Sequence, residues 1–183
     1  MLNIKFDNEI YAIPTTIYEI TVGQFEDICI ILNKPTTDLI DKWFKIFEVL
    51  KMPKAILNSL DKNEFIELTK EISFDLSLTK VRKEIEFNGT TYKAYDKTFN
   101  LKVKDILLIE NMLTINPNRY IAELIAIIYK SKDEDETKFD LNYIQSKANI
   151  IRNEVKANYC IALINLISKS ILNNLNSTIN ETN

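Results

Sequence analysis

The chain has 183 residues, enough for one sizeable core or two small ones that share it, and 23 Lys+Arg against 26 Asp+Glu leave a net charge of -3 with both signs mixed along it. That balance leaves no basic footprint for sequence-specific nucleic acid, and no run reaches the roughly 20 consecutive apolar residues of a membrane span. With no histidine and 2 glycines, the commonest general base, every Ser-His or Cys-His nucleophile pair and any phosphate-cradling glycine loop are missing.

Taken in order, Leu2 to Phe6 and Ile10 to Ile13 read as a short hairpin around Asp7-Asn8, closed by Pro14. The start, Met1-Leu-Asn-Ile-Lys-Phe-Asp7, has no apolar signal core and reads as a first strand. Thr21-Val-Gly-Gln24 is a capping box, predicting a helix over 22–32 that Asn33-Lys34-Pro35 ends. Thr37 is expected to cap a second helix through Leu50, with Leu39, Ile40, Trp43, Phe44, Phe47 and Leu50 on its apolar face. Pro53 opens a short helical turn, and Asp61-Lys-Asn-Glu64 caps a third helix bearing Phe65, Ile66, Leu68 and Ile72. Ser73 to Thr79 is an extended connector.

The second half begins with Val81 to Phe87 and Thr90 to Tyr95, two strand-like runs around Asn88-Gly89, the strongest short-range signal for a type I′ hairpin. From Asn100 the apolar positions Leu101, Val103, Ile106, Ile109, Met112 and Leu113 follow helical spacing, broken and restarted at Asn116-Pro117. Lys132-Asp-Glu-Asp-Glu-Thr-Lys138 lacks the glycine turn and distal glutamate of a calcium loop and reads as a solvated loop. Asp140 to Leu175 is predicted helical throughout or nearly so, with a break near Asn149. Between Tyr159 and Ile167 it is apolar on every side except Asn165, so it is either the central helix of the core or buried against another subunit. Cys29 and Cys160 sit in apolar settings with no partner motif and read as buried free thiols.

Sliding the second hairpin and its helices back by 81 positions (87 minus 6) lays them without a gap on Phe6 to Val49. Of 22 apolar residues in that stretch, 16 face apolar partners, where composition gives about 10 by chance. The expected fold is therefore α+β and mostly α-helical: two related β-hairpin-plus-helices modules, 1–80 and 81–183, packed into one body with a long C-terminal helix.

The run Tyr18-Glu-Ile-Thr-Val-Gly-Gln-Phe-Glu-Asp-Ile28, the Trp/Phe-rich helix after it, Leu60-Asp-Lys-Asn-Glu-Phe-Ile-Glu-Leu68 and Phe87-Asn-Gly-Thr-Thr-Tyr92 resemble small tail and tail-assembly proteins of bacteriophages. The Ile/Asn/Lys bias is similar to that of crAss-like phages of Bacteroidetes. The resemblance implies a non-enzymatic virion structural protein with no catalytic residues, cofactor or metal. It would be a homo-oligomeric ring in the tail, or in the connector between portal and tail, touching other tail or portal proteins and assembled in the host cytoplasm. The alternative it implies is a cytoplasmic tail-assembly chaperone that holds a tail subunit. Interface positions are expected at Tyr92 and Tyr95 on the second hairpin and at Ile161, Ile164, Ile167, Ile171 and Leu175 on the terminal helix, whose other reading is ordinary core.

Overall fold

The computed structural model describes residues 1–35, 38–77, 80–94, 103–116, 119–134 and 140–165. Local chemistry shapes the first unit. Asp7 and Asn8 take φ of 49° and 66°, the left-handed pair a type I′ turn needs, and join β1 (Leu2–Phe6) to β2 (Glu9–Ile13) with Leu2 opposite Ile13. Thr21 accepts from the Gln24 N–H while the Gln24 side chain accepts from the Thr21 N–H, and α1 (Val22–Asn33) follows this capping box as expected. Thr37, the expected cap of the next helix, lies outside the described residues; Asp38 does the capping, accepting from the Ile40 N–H ahead of α2 (Leu39–Val49). After α3 (Lys54–Ser59), a second capping box between Asp61 and Glu64 opens α4 (Lys62–Glu71).

The second unit repeats this order. Asn88 and Gly89, with φ of 48° and 66°, turn β3 (Glu84–Phe87) into β4 (Thr90–Ala94), and α5 (Val103–Ile115) and α6 (Ile121–Ile128) come next. Adding 81 to the bounds of β2 gives those of β4, and adding it to α1 gives 103–114, one residue short of α5. The correspondence extends to a third helix that the sequence comparison left out. Asp140 caps α7 (Leu141–Glu154) as Asp61 caps α4, at an offset of 79 rather than 81 (140 minus 61), and each cap is followed four and eleven residues later by core-facing apolar side chains, Phe65 and the C-cap Ile72 in the first unit and Ile144 and Ile151 in the second.

The second hairpin gains a third strand, because Tyr129–Lys130 leaves α6 as β5 and pairs with β4, giving the sheet order β3-β4-β5. One expectation needs correction: the segment from Asp140 to Asn165 is not one long helix. α7 stops at Glu154, and α8 runs over 158–165, where the described residues end. The break carries no proline or glycine; its cause is tertiary. Val22 N–H donates to Val155 C=O (2.9 Å) and Ala157 N–H to Ile20 C=O (3.0 Å), so the strand entering α1 takes the backbone groups that a continuing helix would use.

One apolar cluster spans both units, with Ile20, Phe25, Phe47 and Leu57 from the first and Ile85, Ile125, Tyr129 and Ile151 from the second. α8 lies within it through Cys160, Ile161 and Leu163, which fits the central-helix reading of this segment. Both cysteines are free, as expected.

Because nothing lies within 4 Å of a Cβ built on Gly89, an alanine there suffers only from its left-handed backbone. Gly89→Ala is expected to lower unfolding free energy by about 1 kcal/mol, while Asn8→Gly, at the equivalent turn position, raises it by a few tenths. Paired denaturant melts read both signs.

Candidate functional site

The contact that joins the two units is built on Glu26, a fully buried carboxylate in the middle of α1. Its Oε1 accepts from the Ala122 N–H (3.0 Å) in the first turn of α6, a helix whose own cap residue, Tyr120, gives no side-chain hydrogen bond. Its Oε2 accepts from Arg152 Nε (2.8 Å) on α7 and faces Arg119 Nε (3.4 Å). Arg152 also donates to both oxygens of Glu123 at 2.6 Å, and Arg119 reaches Asp27 at 3.4 Å. Burial works against the Arg152 cation, but its hydrogen bonds to Glu123 and Glu26 outweigh that and hold its pKa above the ordinary value. α1 and α7 come close enough for this because residue 23 is glycine, where an added Cβ would stand 2.9 Å from the Arg152 carbonyl oxygen.

A second buried polar group pins the sheet to α7. Lys147 Nζ donates to the Tyr129 carbonyl (2.6 Å) and to Glu134 Oε1 (2.7 Å), and Tyr143 OH donates to the same carboxylate oxygen at 2.7 Å. Burial lowers the Lys147 pKa to about 8 despite the opposing pull of Glu134. Burial and the bond to Glu134 raise that of Tyr143. A depressed lysine beside a tyrosine has the look of proton chemistry, yet each of these groups is spent on a structural partner, with no substrate-sized cleft beside them among the described pockets. Among the described residues, every buried side-chain nitrogen or oxygen has a partner, no acid, cysteine or histidine cluster could hold a metal, and no helix is long and apolar enough to cross a membrane.

Three of the seven expected interface positions are described, and these pack within the chain. Tyr92 is half-buried, its ring stacked on Phe87 (3.9 Å, 5°) with the Lys147 ammonium 4.6 Å from its centroid. Ile161 belongs to the core, the other reading that the sequence left open: α8 turns inward once the chain breaks at Val155. Ile164 is half-buried at the edge of that core. Tyr95, Ile167, Ile171 and Leu175 lie outside the described residues.

Among the described residues, the largest group of exposed apolar side chains on one helix is on α5. That helix buries Asp105, Leu108 and Met112, the last of these beside Leu124 and Ile127 of α6, and exposes Ile106, Leu107, Leu113 and Ile115. Leu39 and Ile40, at the start of α2, form a second exposed pair. An open groove of about 340 Å³ runs between β1 and α4, floored by Leu2, Ile4, Leu60 and Leu68 and rimmed by Glu64, Glu67 and Glu71. The sequence pattern gave α5 an apolar face and missed that it has two. A usable signal was present: Ile106, Leu107, Ile109, Met112 and Leu113 occupy more than half of the helical circumference, too wide a stripe for one neighbour.

Comparison with known protein families, with curated proteins and with solved structures finds no match to this chain.

Removing Glu26 takes one carboxylate from the largely buried Arg152 and leaves the Ala122 N–H without its acceptor. Glu26→Ala is expected to lower stability by about 3 to 5 kcal/mol, as loss of one member of a buried ion cluster does, and chemical denaturation reads it directly. For Lys147 the folded chain holds its proton less tightly than the unfolded one. Its destabilising contribution is thus complete below about pH 8 and relieved as pH rises toward the ordinary lysine value of 10.5. The stability of the wild type relative to Lys147→Met is expected to climb across that interval in melts at fixed ionic strength.

Proposed function

We propose that this protein is a non-enzymatic bacteriophage virion component that forms a homo-oligomeric ring in the tail or in the connector between portal and tail. The observation that carries the proposal is α5: a helix that keeps Ile106, Leu107, Leu113 and Ile115 in water is suited to a permanent partner and costly without one. The free edge of the β1-β2 hairpin and the satisfied state of the buried polar groups support the same reading, since contact surfaces are offered where placed reaction groups are not. The resemblance of the Tyr18 to Ile28 and Phe87 to Tyr92 runs to tail proteins supplies the context.

A second reading, a tail-assembly chaperone in the host cytoplasm, is favoured by the groove between β1 and α4. Its apolar floor and three-glutamate rim suit a basic amphipathic segment of a client.

Quantitative mass spectrometry of purified virions separates the two. A ring component is expected at a fixed copy number per particle that survives salt washing, and its absence from particles while abundant in infected-cell lysate overturns the ring.

A further inference from the structure

The two repeated units differ in how closely the capped helix meets the hairpin. Adding 81 to Ile4 and Phe6 gives Ile85 and Phe87, each 3% exposed, and α7 meets their strand, with Glu154 Oε2 accepting from the Asn88 N–H (2.7 Å). In the first unit Leu2, Ile4 and Phe6 are only half-buried, and the open groove of about 340 Å³ lies between β1 and α4.

The groove is lined by β1 and by no residue of β2, so it runs along the outer edge of β1. That edge is unused. Phe6 and Glu9 flank a two-residue turn and form a hydrogen-bonded pair, and alternation along the ladder directs Ile4 and Leu2 toward β2 in the same way. The N–H and C=O groups of Asn3 and Lys5 therefore point away from β2, and among the described residues nothing pairs with them.

The opposite wall carries charge. Glu64, Glu67 and Glu71 stand at i, i+3 and i+7 on one face of α4. Glu64 serves the capping box and Glu67 pairs with Lys70 (2.6 Å). Among the described residues no cation pairs with Glu71, at the helix C-terminus, where the helix dipole disfavours a carboxylate. Helix stability accounts for the first two acids and not for the third.

We infer that this groove takes an extended, lysine- or arginine-bearing segment of another protein as a strand added to β1. Its backbone pairs with Asn3 and Lys5, while its groove-side side chains lay their apolar parts on Leu2, Ile4 and Leu68 and bring their cations to the glutamate rim. The hairpin of a second copy is a poor occupant: β1 brings Leu2, Ile4 and Phe6 on that face and β2 brings Glu9, Tyr11 and Ile13, with no cation for the rim. The inference goes beyond both readings of the function. A ring component takes the arm of a neighbouring protein by such an edge and a chaperone takes a client segment, and the contact is read in solution, apart from the virions.

The probe is the peptide Thr-Lys-Thr-Ile-Thr-Lys-Thr, acetylated, amidated and fluorescently labelled, titrated with the full chain by fluorescence anisotropy. Saturable binding is expected, and it is expected to weaken about tenfold or more when Glu67→Lys and Glu71→Lys are combined, or when both peptide lysines become glutamate. Positions 67 and 71 are exposed, so that variant is expected to melt as the wild type does. Asn3→Pro removes an N–H from the outer edge, where a strand tolerates proline, and is expected to weaken binding about tenfold as well. Should Asn3→Pro lose its cooperative melt, peptides N-methylated at every second residue, in both phases, carry the same test, because only one phase faces β1. No saturable binding by the wild type, or equal binding of the glutamate peptide, overturns the inference. Binding indifferent to Asn3→Pro and to both methylation phases means that the groove takes something other than a strand, and overturns it too. Self-association in light scattering that Asn3→Pro abolishes makes a second copy the occupant and likewise overturns it.

Discussion

A carboxylate without water around it must be answered by hydrogen bonds, and Glu26 is answered from two other helices at once. The backbone of α6 supplies a donor that its own cap fails to use, and Arg152 on α7 supplies a charged one. Because the carboxylate and its two donors lie on three different stretches of chain, Glu26 sets the spacing and rotation of α1, α6 and α7 together. Gly23 allows the approach, and the chain break at Val155 follows from it, since the strand leading into α1 can bond to Val155 and Ala157 only once α1 is seated. The inward course of α8 through Cys160 and Leu163 is downstream of that break.

The two units share a plan and differ in what they must face. Where α1 looks into the middle of the molecule it carries glycine and glutamate, a close approach and a buried charge. At the equivalent positions α5 carries Lys104 and Leu107. Lysine forbids the close approach and leucine requires none of the polar answers that glutamate does. β5 shows the same divergence on the sheet side, where the second hairpin gains a third strand as α6 ends two residues before its counterpart in the first unit.

Much of this was legible in the sequence, and in a consistent way. Features written in consecutive residues were readable: the Asn88-Gly89 turn, the Thr21 and Asp61 capping boxes, the helix start after Pro53, and the 81-residue register that aligned both hairpins and their helices. Features produced by residues far apart were not. Nothing near Val155 announces the end of α7, because the groups that end it are at Ile20 and Val22. β5 was hidden for a similar reason, since Tyr129 and Lys130 continue a helical pattern and become strand only through pairing with β4. The Glu26 cluster left one faint mark. Lysine is the default cation of this chain, and arginine stands at 82, 119 and 152, each in a tertiary contact: Arg82 over the Tyr159 ring, the other two on Glu26. A rare arginine in a lysine-rich chain signals a need for a planar, many-donor cation. For Ile161 the sequence left core and interface both open, because an all-round apolar helix fits either, and within the single chain the residue packs in the core.

The central claim is that two repeated units form one cooperative body through the buried carboxylate of Glu26. Native-state amide hydrogen exchange across a denaturant series tests it most directly, with the Ala122 amide and the inner amides of α1 and α7 as reporters. The account predicts that these amides exchange through a single opening with the free energy of global unfolding. Exchange of α1 through a smaller opening, while α6 and α7 keep their protection, would contradict it.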